Sequence, residues 1–298
     1  MTDASNKLRV AILGSGNVGS DLLSKIMRSA LLECTLFVGR SLSSRGVARA
    51  AAMGVPVSDN GVDAIAENPD VCDLVVDATS AQSHVRHAPI LKRLGKLVVD
   101  LTPSSLGEMC VPAVNLEDGL THSNVNMVTC GGQATVPIAR VIGQVHGTVP
   151  YIEVVSQIAS RSAGPATRIN LDEYIENTER AVRFFSGCEH SKAILNLNPA
   201  LPPVDMQATV FAKTDKPDIE ALGPAIDAMI EKIREYVPGY QLIVPPTIEN
   251  GRIVIMVRVR GLGDYLPSYA GNLDIINCAA IAVAEGHARL ALAREGGE

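Results

Sequence analysis

The stretch that decides the fold is KLRVAILGSGNVGSDLLSKIM, residues 7–27. Residues 7–13 are apolar and rich in branched side chains, which is typical of a strand buried on both faces. A glycine-rich turn, residues 14–19, follows directly, and a helical pattern of apolar residues comes after it. A strand, a tight turn and a helix in this order predict the first unit of a nucleotide-binding domain.

Strand and helix patterns alternate along the next eighty residues. The predicted strands and helices lie at 34–40, 43–53, 72–80, 81–94 and 96–103. Such alternation favours parallel strands with helices on both faces of the sheet. We therefore predict an α/β fold, with a doubly wound Rossmann domain over residues 1–130.

The pattern changes after residue 130, where we predict a second, α+β domain over residues 131–270. The predicted elements include a strand at 124–130 that leads into a helix at 133–146, strands at 151–160, 204–213 and 252–261, and a helix at about 217–236. Residues 271–298 are rich in alanine and helical in pattern. Because an exposed apolar helix is unfavourable in water, we expect this segment to return to the Rossmann domain.

Composition excludes several classes of protein. Of 298 residues, 47% are apolar and 19% charged, against roughly 25% charged in typical domains, and the mean hydropathy is +0.18. This balance excludes a disordered chain. A net charge of −6 and 3% aromatic residues without tryptophan argue against a nucleic-acid partner, which would need clustered cations or stacking aromatics.

The apolar stretches are broken by charges or glycine, and we expect none to reach the ~20 residues that span a bilayer. The first ten residues, MTDASNKLRV, show no signal-peptide core. We predict a cytoplasmic protein without a membrane segment.

The turn from Gly14 to Gly19 matches G-x-G-x-x-G in full and consists of Gly14, Ser15, Gly16, Asn17, Val18 and Gly19. Its glycines permit a tight turn, close approach of a pyrophosphate, and close packing of helix on strand. We predict that it binds a dinucleotide. Arg40 and nearby serines stand where NAD-binding proteins usually carry an acid. A guanidinium suits a 2′-phosphate or stacking on adenine, so use of NADP beside NAD is a hypothesis.

The six cysteines form no C-x-x-C pair, and five of them are expected to be small buried apolar residues. Cys130 differs because Gly131, Gly132 and a predicted helix follow it. A helix N-terminus lowers the pKa of a thiol, and backbone N–H groups near Gly131 can bind an oxyanion. A reactive thiol in a dinucleotide-binding protein indicates aldehyde oxidation through a thiohemiacetal and a thioester. His84 and His87 are expected on a solvated helix face, and no metal site is predicted.

Several motifs, spread over nearly the whole chain, resemble one family. They are GSGNVGSDL, DATSAQSHV, DLTPSSLG, NVNMVTCGGQAT, SAGPATRINLDE, KAILNLNPALPP, YVPGYQL and YLPSYAGNLDI. The chain resembles the acylating, CoA-dependent acetaldehyde dehydrogenases that partner 4-hydroxy-2-oxovalerate aldolase in aromatic and steroid degradation. The resemblance implies a Rossmann domain followed by an α+β domain like that of glyceraldehyde-3-phosphate dehydrogenase. It also implies NAD and coenzyme A as co-substrates, and a homodimer within a heterotetramer with the aldolase.

The resemblance implies that Cys130 carries the acyl thioester. It places cofactor contacts on residues 15–18, on Asn272, and on a loop over the nicotinamide. The loop residues are Ser162, Ala163, Gly164, Pro165, Ala166, Thr167, Arg168, Ile169 and Asn170. Read without the resemblance, residues 162–165 are a turn after a strand, and Asn272 is a helix cap.

Two departures from the family pattern stand out. Relatives carry an acidic residue, proposed as an acid/base, where this chain has Ala208, and Asp205 would point to the other face of the strand. The segment from Gly239 to Tyr265 is shorter, which bears on the partner surface. Two rival functions stay open: a phosphorylating semialdehyde dehydrogenase, and a non-catalytic dinucleotide-binding subunit that scaffolds or regulates an aldolase.

Overall fold

The computed structural model describes residues 7–295, except for the side chains of Pro165, Ala166 and Glu295. Contacts divide these residues into two compact units. The first comprises residues 7–110, 116–127 and 280–295, and the second comprises 111–115 and 128–279. The division lies three residues before the predicted boundary at 130.

The first unit contains a seven-stranded parallel sheet. Its strands are β1 (Leu8–Leu13), β2 (Leu32–Val38), β3 (Val57–Ser58), β4 (Leu74–Asp77), β5 (Leu97–Asp100), β6 (Glu108–Met109) and β7 (Asn124–Asn126). The strand order is β3-β2-β1-β4-β5-β7-β6. Because β2 and β4 flank β1 on opposite sides, the order reverses at β1, where ligands bind in doubly wound folds.

The helices of this unit are α1 (Asn17–Arg28), α2 (Arg45–Ala52), α3 (Asp63–Ala66) and α4 (Ala81–Arg93), and α5 (Pro112–Gly119) crosses between the units. Helix α1 buries Leu22, Leu23 and Ile26, and its last turn carries Lys25 and Arg28, which suit the negative end of the helix dipole. One core cluster joins alternate strand residues such as Ala11 and Leu13 with Leu91 of α4. The doubly wound α/β prediction is confirmed.

The second unit contains a five-stranded mixed sheet. Its strands are β8 (Tyr151–Ala159), β9 (His190–Asn198), β10 (Met206–Lys213), β11 (Tyr240–Glu249) and β12 (Arg252–Val259). The order is β11-β12-β10-β8-β9, with only β8 and β9 parallel. Its helices are α6 (Cys130–His146), α7 (Pro165–Ile169), α8 (Leu171–Ser186) and α9 (Ile219–Arg234). Burial alternates along β8, because one face of the sheet packs against helices.

The last helix, α10 (Gly271–Glu295), runs through both units. Residues 271–279 belong to the second unit and only those from Ala280 onward to the first, so the prediction that the whole segment returns to the first domain is wrong for its first nine residues. Helix α10 is long and apolar enough to cross a membrane by length and composition, contrary to the expectation from the sequence. In its most apolar window, 61% is buried, as in a core helix.

Candidate active site

The glycine turn after β1 is built as a cradle. Gly14 has φ +113°, and a Cβ on it would collide with the backbone of Ala78. A Cβ on Gly19 would collide with the carbonyl of Gly14, so this glycine lets α1 pack against the turn. Gly16, by contrast, faces open space. The turn therefore offers a free backbone surface at the point where the strand order reverses.

The start of α1 is open to a ligand. Gly16 is the N-cap and makes no side-chain capping hydrogen bond. Asn17 is exposed, while Ser15 and Val18 are half-buried. Helix N-terminal N–H groups without a capping side chain, beside an unobstructed glycine, fit a pyrophosphate.

Arg40 lies two residues beyond β2 and is exposed. The Ser15 hydroxyl of the glycine turn contacts the Ser44 hydroxyl at 3.2 Å, and Ser41 and Ser43 share a hydroxyl contact of 2.8 Å. The loop that carries the Arg40 guanidinium and the serine hydroxyls therefore adjoins the glycine turn.

A buried charged network lies at the carboxyl ends of β4 and β5. His84 Nδ1 is 2.9 Å from Asp77 Oδ2, and His84 Nε2 is 3.5 Å from Asp100 Oδ2. His87 Nδ1 also contacts Asp77 Oδ2, at 2.8 Å. The expectation that both histidines lie on a solvated face is wrong, because His84 is fully buried and His87 turns toward the sheet. The sequence LVVD occurs twice, at residues 74–77 and 97–100. This repeat could have indicated that two buried strands each end in an aspartate.

The network shifts the pKa values of Asp77, His84 and Asp100. Burial alone would lower the pKa of His84, but hydrogen bonding to Asp77 and the charges of Asp100 and Asp77 raise it overall. Burial would raise the pKa of Asp77, but hydrogen bonds from His84, His87 and Thr79 hold it well below the usual range. Burial raises the pKa of Asp100 to about 6. The network therefore favours the charged form of the His84 imidazole, which lies between two carboxyl groups.

Cys130 is the first residue of α6, and the strand before it ends at Asn126. The predicted strand through Cys130 is too long because the chain turns at Val128, whose φ of 60° is rare for a branched residue and costs about 1–3 kcal/mol. Thr129 then caps the helix, its Oγ1 accepting the N–H of Gly132 at 2.8 Å. The cap occupies the N–H of Gly132. The N–H groups of Gly131 and Cys130 take no part in the cap and lie beside the Cys130 sulfur.

The sulfur of Cys130 lies in a niche of uncharged groups. Its S–H donates to Tyr174 Oη at 3.8 Å. The Ser156 hydroxyl and the Gly131 N–H lie close enough to this phenol to act toward lowering its pKa. A Cβ on Gly131 would collide with Tyr174 Oη and reach Ser156 Oγ, so only glycine fits there. Neither Tyr174 nor Ser156 was predicted from the sequence, because they lie 44 and 26 positions from Cys130.

The predicted fall in the pKa of the Cys130 thiol is wrong for this structure. Burial raises that pKa to about 11, although the Tyr174 hydroxyl and the N–H groups of Gly131 and Cys130 act to lower it. The side chain is only 9% exposed, so desolvation outweighs the helix end. The thiol therefore keeps its proton at neutral pH and needs a partner that removes it.

Residues 162–170, expected to be a loop, begin at the end of a short 3₁₀ turn (Ser160–Ser162) and include α7 (Pro165–Ile169). Ser162 is buried and donates to the carbonyl of Ala159 at 2.9 Å. The Arg168 guanidinium turns back onto the carbonyls of Ala163 and Ser160, both at 3.1 Å. Ile169 is exposed, Thr167 and Gly164 are half-buried, and Asn170 directly precedes α8. The side chains of Pro165 and Ala166 lie outside the described residues. The predicted cofactor role of this segment stays a prediction.

Asn272 is 1% exposed, and neither atom of its side-chain amide has a hydrogen-bond partner among the described residues. It lies one residue inside α10, so its amide does not cap that helix. An unsatisfied buried amide costs about 1–3 kcal/mol, which a ligand with complementary groups would recover. A carboxamide such as that of nicotinamide has those groups.

Comparisons with known proteins cover both units. Residues 9–118 match the NAD-binding domain of semialdehyde dehydrogenases, and residues 130–267 match the dimerisation domain of prokaryotic acetaldehyde dehydrogenase. An acetaldehyde dehydrogenase of Spirochaeta aurantia is 58% identical over 97% of each chain. That of Pectobacterium atrosepticum is 56% identical over 96% of this chain and 97% of its own.

Solved structures with the same fold include more distant enzymes. Aspartate semialdehyde dehydrogenase of Candida albicans, solved with NADP, aligns with a TM-score of 0.65 at 12% identity, over 93% of this chain and 99% of its own. The Vibrio cholerae enzyme II aligns with a TM-score of 0.63 at 14% identity, over 94% of this chain and 97% of its own. These alignments support the predicted fold of both units.

Proposed function

Because the chain belongs to the acetaldehyde dehydrogenase family, we propose that it converts a short aliphatic aldehyde to its acyl-CoA through a thioester on Cys130, with NAD(P) as oxidant. Family membership makes it an aldehyde dehydrogenase with an NAD(P)-binding domain, and its match to a dimerisation domain supports a homodimer. One observation supports the thioester most: Cys130 starts α6 with its sulfur hydrogen-bonded to Tyr174.

The residues present fit a dinucleotide. The free surface at Gly16 and the open start of α1 would hold the pyrophosphate. For Asn272, in the second unit, the cofactor contact rests on the family resemblance, and its unpartnered side-chain amide is compatible with that role. When bound, NAD(P) supplies a ring that accepts a hydride from the substrate carbon. Arg40 and the adjoining serines support use of NADP beside NAD.

Cys130 and its neighbours carry the covalent chemistry. The thiol passes its proton to a neighbouring group as the sulfur bonds to the aldehyde carbon, and the N–H groups of Cys130 and Gly131 polarise the aldehyde oxygen. Oxidation leaves an acyl group on the sulfur. The thiol of CoA then attacks this carbonyl, the bond to Cys130 breaks, and the proton of the CoA thiol returns to the Cys130 sulfur.

The substrate range and the partners rest on the family resemblance. Acetaldehyde and propanal differ by one methylene, which a pocket distinguishes by only ~1–3 kcal/mol. The proposal also covers location and partner. We propose that the protein is cytoplasmic and that an aldolase supplies its aldehyde during aromatic or steroid degradation. The segment from Gly239 to Tyr265 is shorter than in relatives and bears on the partner surface. Binding of an aldolase is therefore proposed independently of the reaction at Cys130.

Steady-state assays test this function. The purified chain is mixed with acetaldehyde, propanal or butanal and with NAD or NADP, and formation of the reduced cofactor is followed with CoA or with inorganic phosphate. We expect turnover that requires CoA. Turnover that requires phosphate would instead identify a phosphorylating dehydrogenase, and cofactor binding without turnover would identify a scaffold subunit.

A further inference from the structure

The niche around Cys130 holds a second group suited to proton transfer. In the structure, the Cys130 thiol donates a hydrogen bond to Tyr174 Oη, with a sulfur–oxygen distance of 3.8 Å. The Ser156 hydroxyl lies on the same side of the niche, because a Cβ built on Gly131 would meet both Tyr174 Oη and Ser156 Oγ. Tyr174 and Ser156 are both buried, so these contacts are shielded from bulk water.

The fold keeps Tyr174 in this position. Thr178, one turn later on α8, donates its hydroxyl to the Tyr174 carbonyl at 2.7 Å and contacts the Thr129 hydroxyl at 2.8 Å. Thr129 is the cap of α6, so the turn that presents Cys130 is tied to the turn that presents Tyr174. This arrangement fixes the sulfur and the phenol relative to each other.

The sheet position across from Ser156 carries an alanine and not a carboxylate. Ala208 lies directly across from Ser156 in the β8–β10 register, and side chains paired in this way share one face of the sheet. Within the described part of the chain, the side chain that affects the thiol is Tyr174, and its polar neighbour is Ser156. Burial holds the pKa of Tyr174 well above its ordinary value, so a standing phenolate is not the base.

We propose that Tyr174 is a catalytic residue of thiohemiacetal formation, accepting the Cys130 thiol proton while its own hydroxyl proton passes to the aldehyde oxygen. This inference rests on the proposed function. The S–H and Oη–H bonds break, a new Oη–H bond and a hydroxyl O–H bond form, and the sulfur–carbon bond replaces the π bond of the carbonyl. No net charge is created in the buried niche, and no further reactant is needed. Ser156 orients the phenol.

Pre-steady-state kinetics test the relay. The full-length chain is mixed with acetaldehyde and NAD without CoA, and the first turnover of NADH reports acylation of Cys130. We expect Tyr174→Phe to slow this burst by about 10²-fold or more, the usual range for a lost proton-transfer group, with its final amplitude unchanged. Ser156→Ala should slow it less.

Tyr240→Phe is the matched control, because Tyr240 is also fully buried and donates its hydroxyl to the carbonyl of Ala134 on α6 at 2.6 Å. It should leave the burst rate unchanged. A Tyr174→Phe burst within about threefold of wild type, or an equal loss in Tyr240→Phe, overturns the relay alone. A wild-type chain that binds NAD but forms no NADH overturns the proposed function together with the relay.

Discussion

The two units each bury a polar site, and the two sites differ in charge. In the first unit, Asp77, His84 and Asp100 form an ionic network in which every imidazole nitrogen of His84 faces a carboxylate. In the second unit, Cys130, Tyr174 and Ser156 form a niche whose members keep their protons. The first is satisfied internally, which suits a structural role, whereas the second can exchange a proton with an incoming carbonyl.

Removing a charge should therefore affect stability in the first unit more than in the second. Asp77→Asn takes away the carboxylate that both His84 and His87 contact, and we expect it to lower the free energy of unfolding by roughly 3–5 kcal/mol. Urea denaturation measures the change.

Asp73→Asn is the control, because Asp73 lies four residues away in an exposed pair with Arg9. Its loss should reach at most about 1 kcal/mol. Equal losses of unfolding free energy in Asp77→Asn and Asp73→Asn would show that the buried network stabilises the protein no more than an exposed ion pair does.

In the neutral niche, a change of shape should act on catalysis. Gly131→Ala places a methyl group where Tyr174 Oη lies, which separates the phenol from the sulfur. We expect kcat/KM for acetaldehyde to fall about 10²-fold, the scale for a misplaced reacting group.

Gly223→Ala in α9, where a Cβ meets no neighbour, should leave activity unchanged and stabilise the helix by about 0.5–1 kcal/mol. An active Gly131→Ala enzyme would contradict the assigned contact.

The smallest expected effect is a difference in pH dependence. His84 has a raised folded pKa, so the stability that it contributes is present below 6.5 and is lost as pH rises through its folded pKa. Asp100, raised from 3.8 to about 6, adds a loss of stability with rising pH between those values. The difference in unfolding free energy between wild type and His84→Gln should therefore be larger at pH 6 than at pH 8.

Cys130→Ser should show no such pH dependence, because burial keeps the pKa of the thiol far above this interval. A constant difference for His84→Gln would mean that the imidazole is neutral throughout, and the contrast between the two sites would fail.

The sequence predicted the parts of the fold that have a local signature. The G-x-G-x-x-G turn and the apolar strands of the first unit follow from period and spacing. Strand β9 was missed because it lies at a sheet edge, where every residue except Ala193 is exposed or half-buried and five of its nine residues are polar. Strand β11 was missed because it contains Pro245 and Pro246 and shifts register. Helix α8 was also missed, although residues 171–186 carry a clear helical pattern.

The candidate site was predictable only where its residues are consecutive. Cys130 was found from the glycines that follow it, but the direction of its pKa shift was not, since burial depends on the whole unit. Tyr174 reaches the sulfur through packing between α6 and α8, and Asp100 reaches His84 through strand order. No local pattern encodes such long-range pairs.

The thioester on Cys130 is the central claim, and peptide mass spectrometry tests it directly. The chain is incubated with acetaldehyde and NAD without CoA, digested and analysed, with Cys130→Ser treated in parallel. We predict an acetyl group on the peptide that contains Cys130, lost when CoA is added and absent from the variant. NADH formation with no acetyl group on that peptide, or with the acetyl group on another cysteine, would contradict the account.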